Sequence, residues 1–400
     1  MNPELRVAVD VGCNRHRVAV GLSEGRLLEE FDISHDAAGL REFFSRVEGH
    51  ERRWGLPVAV AMEGYNGYAR PLDERVLLHG YRLFNVNNMK LARFKEIFPG
   101  PAKSDPVDAR KMLEMFSLKD KLPLAREALQ EVAPVPPVNA QLKALTRRRK
   151  QLVNDRKRIS SRLQADLQAA CPGLLDITGE ADNQWFLNFL TCRADLTKLK
   201  TVRESSVLAL RGVGKGYAAK IRLWQKQATF SETVAWIGPM IVEDAKRMLE
   251  LRRTIGALQT QIDALAAHSE IARRIDTIPG FGCVCSAELA GEIGSLQRFS
   301  GESSLALYVG MAPLDNSSGA RSGSKPPRHV NSRAKAAMMI AAAQNAAGVL
   351  ESKTFYDKKR SQGKTHNQAL RALGRVLVRV IWSMLKHGRD YQPDLPAKKC

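Results

Sequence analysis

Two aspartates one helical turn apart, Asp105 and Asp108, lie in the run Lys103-Ser104-Asp105-Pro106-Val107-Asp108-Ala109-Arg110, whose proline and acids predict the start of a helix. Asp10 closes a β-type run, Arg6-Val7-Ala8-Val9-Asp10, just before Gly12, and Glu63 closes another, Ala59-Val60-Ala61-Met62. A strand that ends on a carboxylate leaves a charge at the sheet edge, which costs free energy unless it is solvated, paired or bound to a metal. Four such carboxylates could surround one or two hard divalent cations. Mg²⁺ in that position polarises phosphoryl oxygens and clamps the entering and leaving groups of phosphate chemistry. The segment on its own reads equally as plain helix capping, with Asp105 as N-cap, Pro106 at the first helical position and Asp108 at the third. The strand-end positions of Asp10 and Glu63, in a basic chain, favour the metal.

The elements that must position these acids follow from the pattern around them. Residues 5–32 alternate short β-type runs with glycine-containing turns, predicting a three-stranded antiparallel meander. A helix over Asp36 to Val47, a buried strand over Pro57 to Met62, a helix over Ala69 to His79, a strand over Tyr81 to Val86, and helices near Lys90 and Pro106 come next. Three strands followed by alternating helix and strand is the order of an RNase H-like α/β domain. The expected class is therefore α/β plus α: an RNase H-like domain over 1–125, a basic helical, coiled-coil region over 126–270, and a mainly helical domain over 271–400 with a helix-hairpin-helix-like element.

Charge restricts the partners. With 62 Lys+Arg against 42 Asp+Glu the net charge is +20, which favours a polyanion, nucleic acid first, over an acidic small molecule. The chain carries no long apolar run of membrane-spanning length and no leader-like N-terminus, so a cytoplasmic, nucleoid-associated protein is expected. Its six cysteines are scattered without C-x-x-C spacing, which argues against a zinc site and for reduced thiols.

Beyond Pro134-Val135-Pro136-Pro137-Val138, a stiff break, no proline or glycine occurs from Asn139 to Ala170. Leu145, Leu152 and Ile159 recur every seven residues there, predicting a long helix whose narrow apolar seam suits a coiled-coil partner and an oligomer. The same helix holds Lys143, Arg147, Arg148, Arg149, Lys150, Arg156, Lys157, Arg158 and Arg162 against one acid, Asp155, a density that points to nucleic-acid contact. Two short themes, Leu210-Arg211-Gly212-Val213-Gly214 and Ile278-Pro279-Gly280-Phe281-Gly282, each precede a helix. Glycines so placed, Gly280 and Gly282 above all, let backbone N–H groups face a phosphate. Two further helices, Ser332 to Leu350 and His366 to Lys386, are expected around the basic stretch Lys358 to Lys364.

Asp10-Val11-Gly12, Glu63-Gly64 and Lys103 to Arg110 together resemble the four-acid DEDD, RuvC-like domain of a large bacterial insertion-sequence transposase family, the bridge-RNA-guided serine recombinases. Ile278 to Gly282, Phe299-Ser300, Tyr308-Val309-Gly310-Met311-Ala312-Pro313 and Ser318-Gly319 are similar to that family's C-terminal block, so the likeness spans nearly the whole chain. The resemblance implies a composite site. Ser318 would attack a DNA phosphodiester to give a covalent phosphoserine, with Mg²⁺ held by Asp10, Glu63, Asp105 and Asp108. Ser317 stands next to it, and the spacing from Gly310 favours Ser318. Arg321, Lys325, Arg328 and Arg333, just beyond, would neutralise phosphate charge.

The resemblance further implies donor and target DNA as partners and a structured guide RNA encoded in the element; the assembly expected with the α-helical seam is a homo-oligomer, a dimer or a tetramer on DNA. Base pairing would supply sequence choice while the protein holds backbones, in keeping with the few aromatics, 6%. Related Piv-type DNA invertases act instead on fixed sites. A metal-only nuclease like the Holliday-junction resolvases, with water as nucleophile, and a non-enzymatic packaging protein are the other readings of the same residues.

Overall fold

The computed structural model describes residues 3–64, 67–96, 105–119, 121, 128–315, 324–325 and 330–393, with backbone alone at 105–107, 314–315 and 324–325. The chain divides into two compact units, Met1–Pro134 and Val135–Cys400.

The first unit is built on β1 (Leu5–Val11), β2 (Arg15–Leu22), β3 (Leu27–Ser34), β4 (Val58–Glu63), β5 (Arg82–Val86) and β6 (Leu129–Glu131), with α1 (Ala37–Trp54), α2 (Arg70–Leu78), α3 (Asn88–Lys95) and α4 (Asp105–Leu118). They form one mixed sheet in the order β3-β2-β1-β4-β5-β6. The first three strands pair antiparallel, β1–β4 and β4–β5 pair parallel, and β6 returns antiparallel. The meander and the strand–helix alternation thus lie where the sequence places them; β6 is an addition, and α1 runs on past Val47 to a left-handed Gly55 cap.

Alternation along the strands sorts the two faces. Leu5, Val7 and Val9 of β1 and Val58, Val60 and Met62 of β4 pack with Phe43, Phe44 and Val47 of α1 and Leu72 and Val76 of α2. Ala8, Ala59 and Ala61 face the other way, against Ala109, Met112, Leu113 and Phe116 of α4. Side chains this small allow α4 to lie close over the centre of the sheet. Arg6 shares the Ala8 face. It is fully buried, and its Nε donates to Glu4 at 2.9 Å and its Nη1 to the Phe116 carbonyl at 2.5 Å, tying α4 to the central strand.

One buried group gives this unit a pH signature. His16 of β2 lies 2.8 Å from the His35 ring, and its Nδ1 has no partner. Burial, then the neighbouring His35, push its pKa down from 6.5 to about 4. The ring is neutral in the fold and free to protonate in the unfolded chain, so its contribution is full above about pH 6.5 and lost as the pH falls towards about 4. Melting curves of the wild type and His16→Asn should therefore converge between about pH 7 and about pH 5; a gap that widens on acidification would contradict the assignment.

The second unit is helical. Its spine is α5 (Pro137–Ala170), which begins directly at the proline break, paired with α9 (Val234–Ala266). Between them in sequence come α6 (Gln184–Thr191), α7 (Glu204–Leu208) and α8 (Lys215–Gln227), which pack with both spine helices around Trp185, Phe186, Phe189 and Trp224. The remainder comprises α10 (Glu270–Asp276), α11 (Gly282–Ile293), α12 (Glu302–Tyr308), α13 (Ser332–Gly348), α14 (Leu350–Ser361) and α15 (His366–His387), plus the two-residue strands β7 (Leu314–Asp315) and β8 (Ser324–Lys325). Much of the Lys358 to Lys364 stretch, expected as a separator, continues α14.

The seam of α5 is filled within the chain. Leu152 packs with Leu251 and Ile255, joined by Ile159 and Leu258, while Leu145 joins Ile262 and Ala266. The seam expected to recruit another subunit is therefore taken by α9, so it is not open for oligomerisation in this fold. Apolar heptad positions require a partner helix but do not say which one. Among the described residues no helix is long and apolar enough to cross a membrane.

Candidate active site

Asp10 and Glu63 end adjacent strands. The parallel register runs from Leu5↔Val58 to Val9↔Met62, so the next residues are Asp10 and Glu63, on the face shared by Ala8 and Ala61. There the chain leaves the sheet: Gly64 adopts φ +68°, a left-handed turn that favours glycine, and the β4 backbone stops just past the carboxylate. Asp108 reaches the same place from the first turn of α4, one turn before Met112 enters the core.

The three carboxylates interact. Asp10 is half-buried and its pKa is raised to about 7, first by burial, then by the hydrogen bond it shares with Glu63 and by the charges of Glu63 and Asp108. A proton shared between two carboxyl groups accounts for that bond. Lys95, the last residue of α3, opposes the shift, and its Nζ lies 2.9 Å from Asp108 Oδ2. Crowding three acids in this way is unfavourable without a cation, and Lys95 supplies one. No group of three or more His, Cys, Asp or Glu side chains among the described residues is arranged to hold a metal. The donor set itself, all carboxylate oxygens with mutual repulsion to relieve, suits a hard divalent ion. Asp105 begins α4, but its side chain lies outside the described residues. Nothing in the sequence marks Lys95, because a lysine near the end of a short helix looks like any solvated cation.

In the second unit, Ser317, Ser318, Arg321 and Arg328 lie outside the described residues, and Lys325 is described as backbone alone. What is described is the framework around them. β7 and β8 pair with Leu314 opposite Lys325 and Asp315 opposite Ser324, so Ser318 lies in the connection between two paired strands. Arg333 is in the first turn of α13, its backbone N–H capped by Asn331.

The basic helix is partly spent on ion pairs. Arg147 donates twice to Glu292, at 2.6 and 2.8 Å, Arg156 pairs with Asp182, and Arg162 pairs with Asp244. Arg148, Lys157 and Arg158 are exposed, while Arg149 and Lys150 are half-buried beside Glu288. Arg147 is thus half-buried, with its guanidinium engaged by Glu292. Gly280, expected to approach a phosphate, has φ +89°, and a Cβ there would meet the Asn345 backbone nitrogen at 2.5 Å. Asn345 also donates to the Pro279 carbonyl at 2.7 Å, so this turn is shaped by α13. Gly282, by contrast, opens α11 with free space around it.

Two family models match the chain. An IS110-type DEDD domain model, described as "Transposase", covers residues 7–172, and the model "Transposase IS116/IS110/IS902 family" covers residues 272–357. The chain belongs to the IS116/IS110/IS902 transposase family. It is a transposase, a DNA-cleaving and rejoining enzyme. Full-length likeness agrees: the 44.8 kDa protein of insertion element IS116 from Streptomyces clavuligerus is 26% identical, covering 98% of this chain and 96% of that one. The 42 kDa protein of IS900 from Mycobacterium paratuberculosis is 27% identical over 96% of each chain. The 43.6 kDa protein of IS110 from Streptomyces coelicolor is 28% identical, covering 98% of this transposase and 96% of its relative. The first model spans Asp10, Glu63, Asp105 and Asp108, and the second spans the Ser318 segment.

Proposed function

We propose that this transposase cuts DNA through Ser318 and forms a covalent phosphoserine link, assisted by Mg²⁺ bound at Asp10, Glu63, Asp105 and Asp108. The observation that carries the metal half is the convergence of Asp10, Glu63 and Asp108 at the ends of β1, β4 and the start of α4. The sheet order β3-β2-β1-β4-β5 with an antiparallel first half supports an RNase H-like fold for this unit. When bound, Mg²⁺ supplies charge neutralisation at the phosphodiester. The acids would hold it, while Lys95 balances their charge in the free protein.

Ser318 rests on the family resemblance and on its place between β7 and β8. Its Oγ forms a bond to phosphorus, the bond to one DNA oxygen breaks, and that oxygen takes up the serine proton. A hydroxyl from another DNA strand later reverses the step, giving its proton back to Ser318. Arg321, Lys325, Arg328 and Arg333 neutralise the phosphate as charge develops. An element-encoded guide RNA supplies the choice of sequence by pairing, and Arg148, Arg149, Lys150, Lys157, Arg158 and Gly282 hold nucleic-acid backbones. The net charge of +20 and the 6% aromatic content support backbone holding over base stacking.

The test is a denaturing-gel assay for protein–DNA adduct with element-end DNA, RNA and Mg²⁺. Wild-type protein should form an adduct that Ser318→Ala abolishes and Ser317→Ala retains. Cleavage that survives Ser318→Ala and yields no adduct would make this a metal-only nuclease.

A further inference from the structure

Tyr308 and Asn331, which flank the stretch of sequence that carries Ser318, are joined by a part-buried hydrogen-bond network centred on the fully buried Glu292. Asn331 donates its backbone N–H to the Tyr308 carbonyl at 2.8 Å. Its side-chain Nδ2 donates to Tyr308 Oη and to Glu292 Oε2, both at 2.7 Å. The Tyr308 hydroxyl donates in turn to the Glu292 carbonyl at 2.8 Å. Asn331 Oδ1 accepts from the Arg333 and Ala334 N–H groups, which caps α13. Every polar group of the Asn331 side chain is therefore used, half on Tyr308 and Glu292 and half on the helix that follows.

Glu292 belongs to α11 and is fully buried, yet its carboxyl is held below the usual range. Burial acts to raise it, and the hydrogen bonds from Arg147 and Asn331, with the charges of Arg147 and Lys143, outweigh that. Arg298 closes the remaining side, with its guanidinium 4.7 Å from the Tyr308 ring centre and Nη1 3.2 Å from the Glu292 carbonyl. A fully buried carboxylate held by an arginine of another helix is an expensive way to join two chain ends, since an apolar contact of similar volume does so at less cost. Its advantage is direction. Hydrogen bonds fix distance and angle at both ends, whereas apolar packing tolerates sliding.

We infer that Glu292 is a positioning residue for DNA cleavage: with Arg147 it holds Tyr308 and Asn331, the residues that flank the stretch of sequence carrying Ser318, at a fixed distance and angle from each other. The inference rests on the reading of Ser318 as nucleophile. It also links Tyr308 and Asn331 to α5, because Arg147, which holds Glu292, stands beside Arg148 on the basic helix.

The experiment uses full-length protein with guide RNA and element-end DNA, and three variants: Glu292→Gln, Asn331→Ala, and the paired apolar change Glu292→Met with Arg147→Met. Single-turnover adduct formation, DNA affinity and melting temperature are measured together. Adduct formation is expected to fall about a hundredfold in Glu292→Gln and Asn331→Ala, the effect of a displacement of about 1 Å at a reacting atom, with DNA affinity within a few-fold of wild type. The paired variant should melt near the wild-type temperature and remain slow. Wild-type adduct rates in the paired variant, or losses in the single variants that merely follow melting temperature, would overturn the clamp and leave Ser318 standing. Cleavage by wild-type protein with no adduct at all would remove the Ser318 reading and this inference with it.

Discussion

Asp10→Asn is expected to abolish Mg²⁺-dependent strand cleavage while making the metal-free protein more resistant to heat. The two effects have one cause. Asp10 stands half-buried beside Glu63 and within the field of Asp108, and both burial and its neighbours work against its charge. An amide of the same shape removes that repulsion and can donate to Glu63 without sharing a proton, so the melting temperature of the N-terminal unit should rise by a few degrees. The same amide is a poor ligand for a hard cation. Loss of one preorganised electrostatic partner at a phosphoryl centre lowers rates by about 10²–10³-fold, which sets the minimum loss expected in single-turnover cleavage. Unchanged cleavage would remove Asp10 from the metal site. Reduced cleavage together with a lowered melting temperature would mean that Asp10 is a structural group instead.

The carboxylate site was legible because strands have a period of two. Alternation places Asp10 and Glu63 on the face of Ala8 and Ala61, and parallel pairing of β1 with β4 brings their ends together. Lys95 was not legible, since its approach to Asp108 depends on how α3 is set against α4. Glu292 escaped for a related reason. An acid on a helix normally marks the solvated face, and only the packing of α11 on α5 turns this one inward onto Arg147. For α5, the heptad spacing of Leu145, Leu152 and Ile159 correctly marks a seam, but Leu251, Ile255 and Leu258 on α9, far along the chain, carry no sign that they complete it. Gly280 stands out in the sequence by its spacing, and the close approach of Asn345 with a φ of +89° accounts for a glycine there.

Arg6→Ala should be among the most damaging single substitutions in the N-terminal unit. The guanidinium is fully buried on the α4 face of β1, where it donates to Glu4 and to the Phe116 carbonyl and stacks 4.9 Å from the Phe116 ring centre. Truncation takes the Arg6 guanidinium from Glu4, itself buried and left beside Arg82 Nη1 at 3.2 Å, and removes one of two donors from the Phe116 carbonyl, which keeps the Lys119 N–H at 3.3 Å. Removing one partner of a buried pair costs about 3–5 kcal/mol, because the survivor's charge stays desolvated. Chemical denaturation of the full chain should show that loss in the transition of the N-terminal unit. Arg6→Met with Glu4→Gln should recover most of it, since the second charge goes with the first and the methionine keeps contact with Phe116. Because α4 also carries Asp105 and Asp108, the single variant should lose Mg²⁺-dependent cleavage more steeply than its folded fraction, and the double variant should regain it. If the double variant is no more stable than Arg6→Ala, the buried charge is not what holds α4 to the sheet, and packing of Met112 and Phe116 against Ala8 and Ala61 carries that role alone.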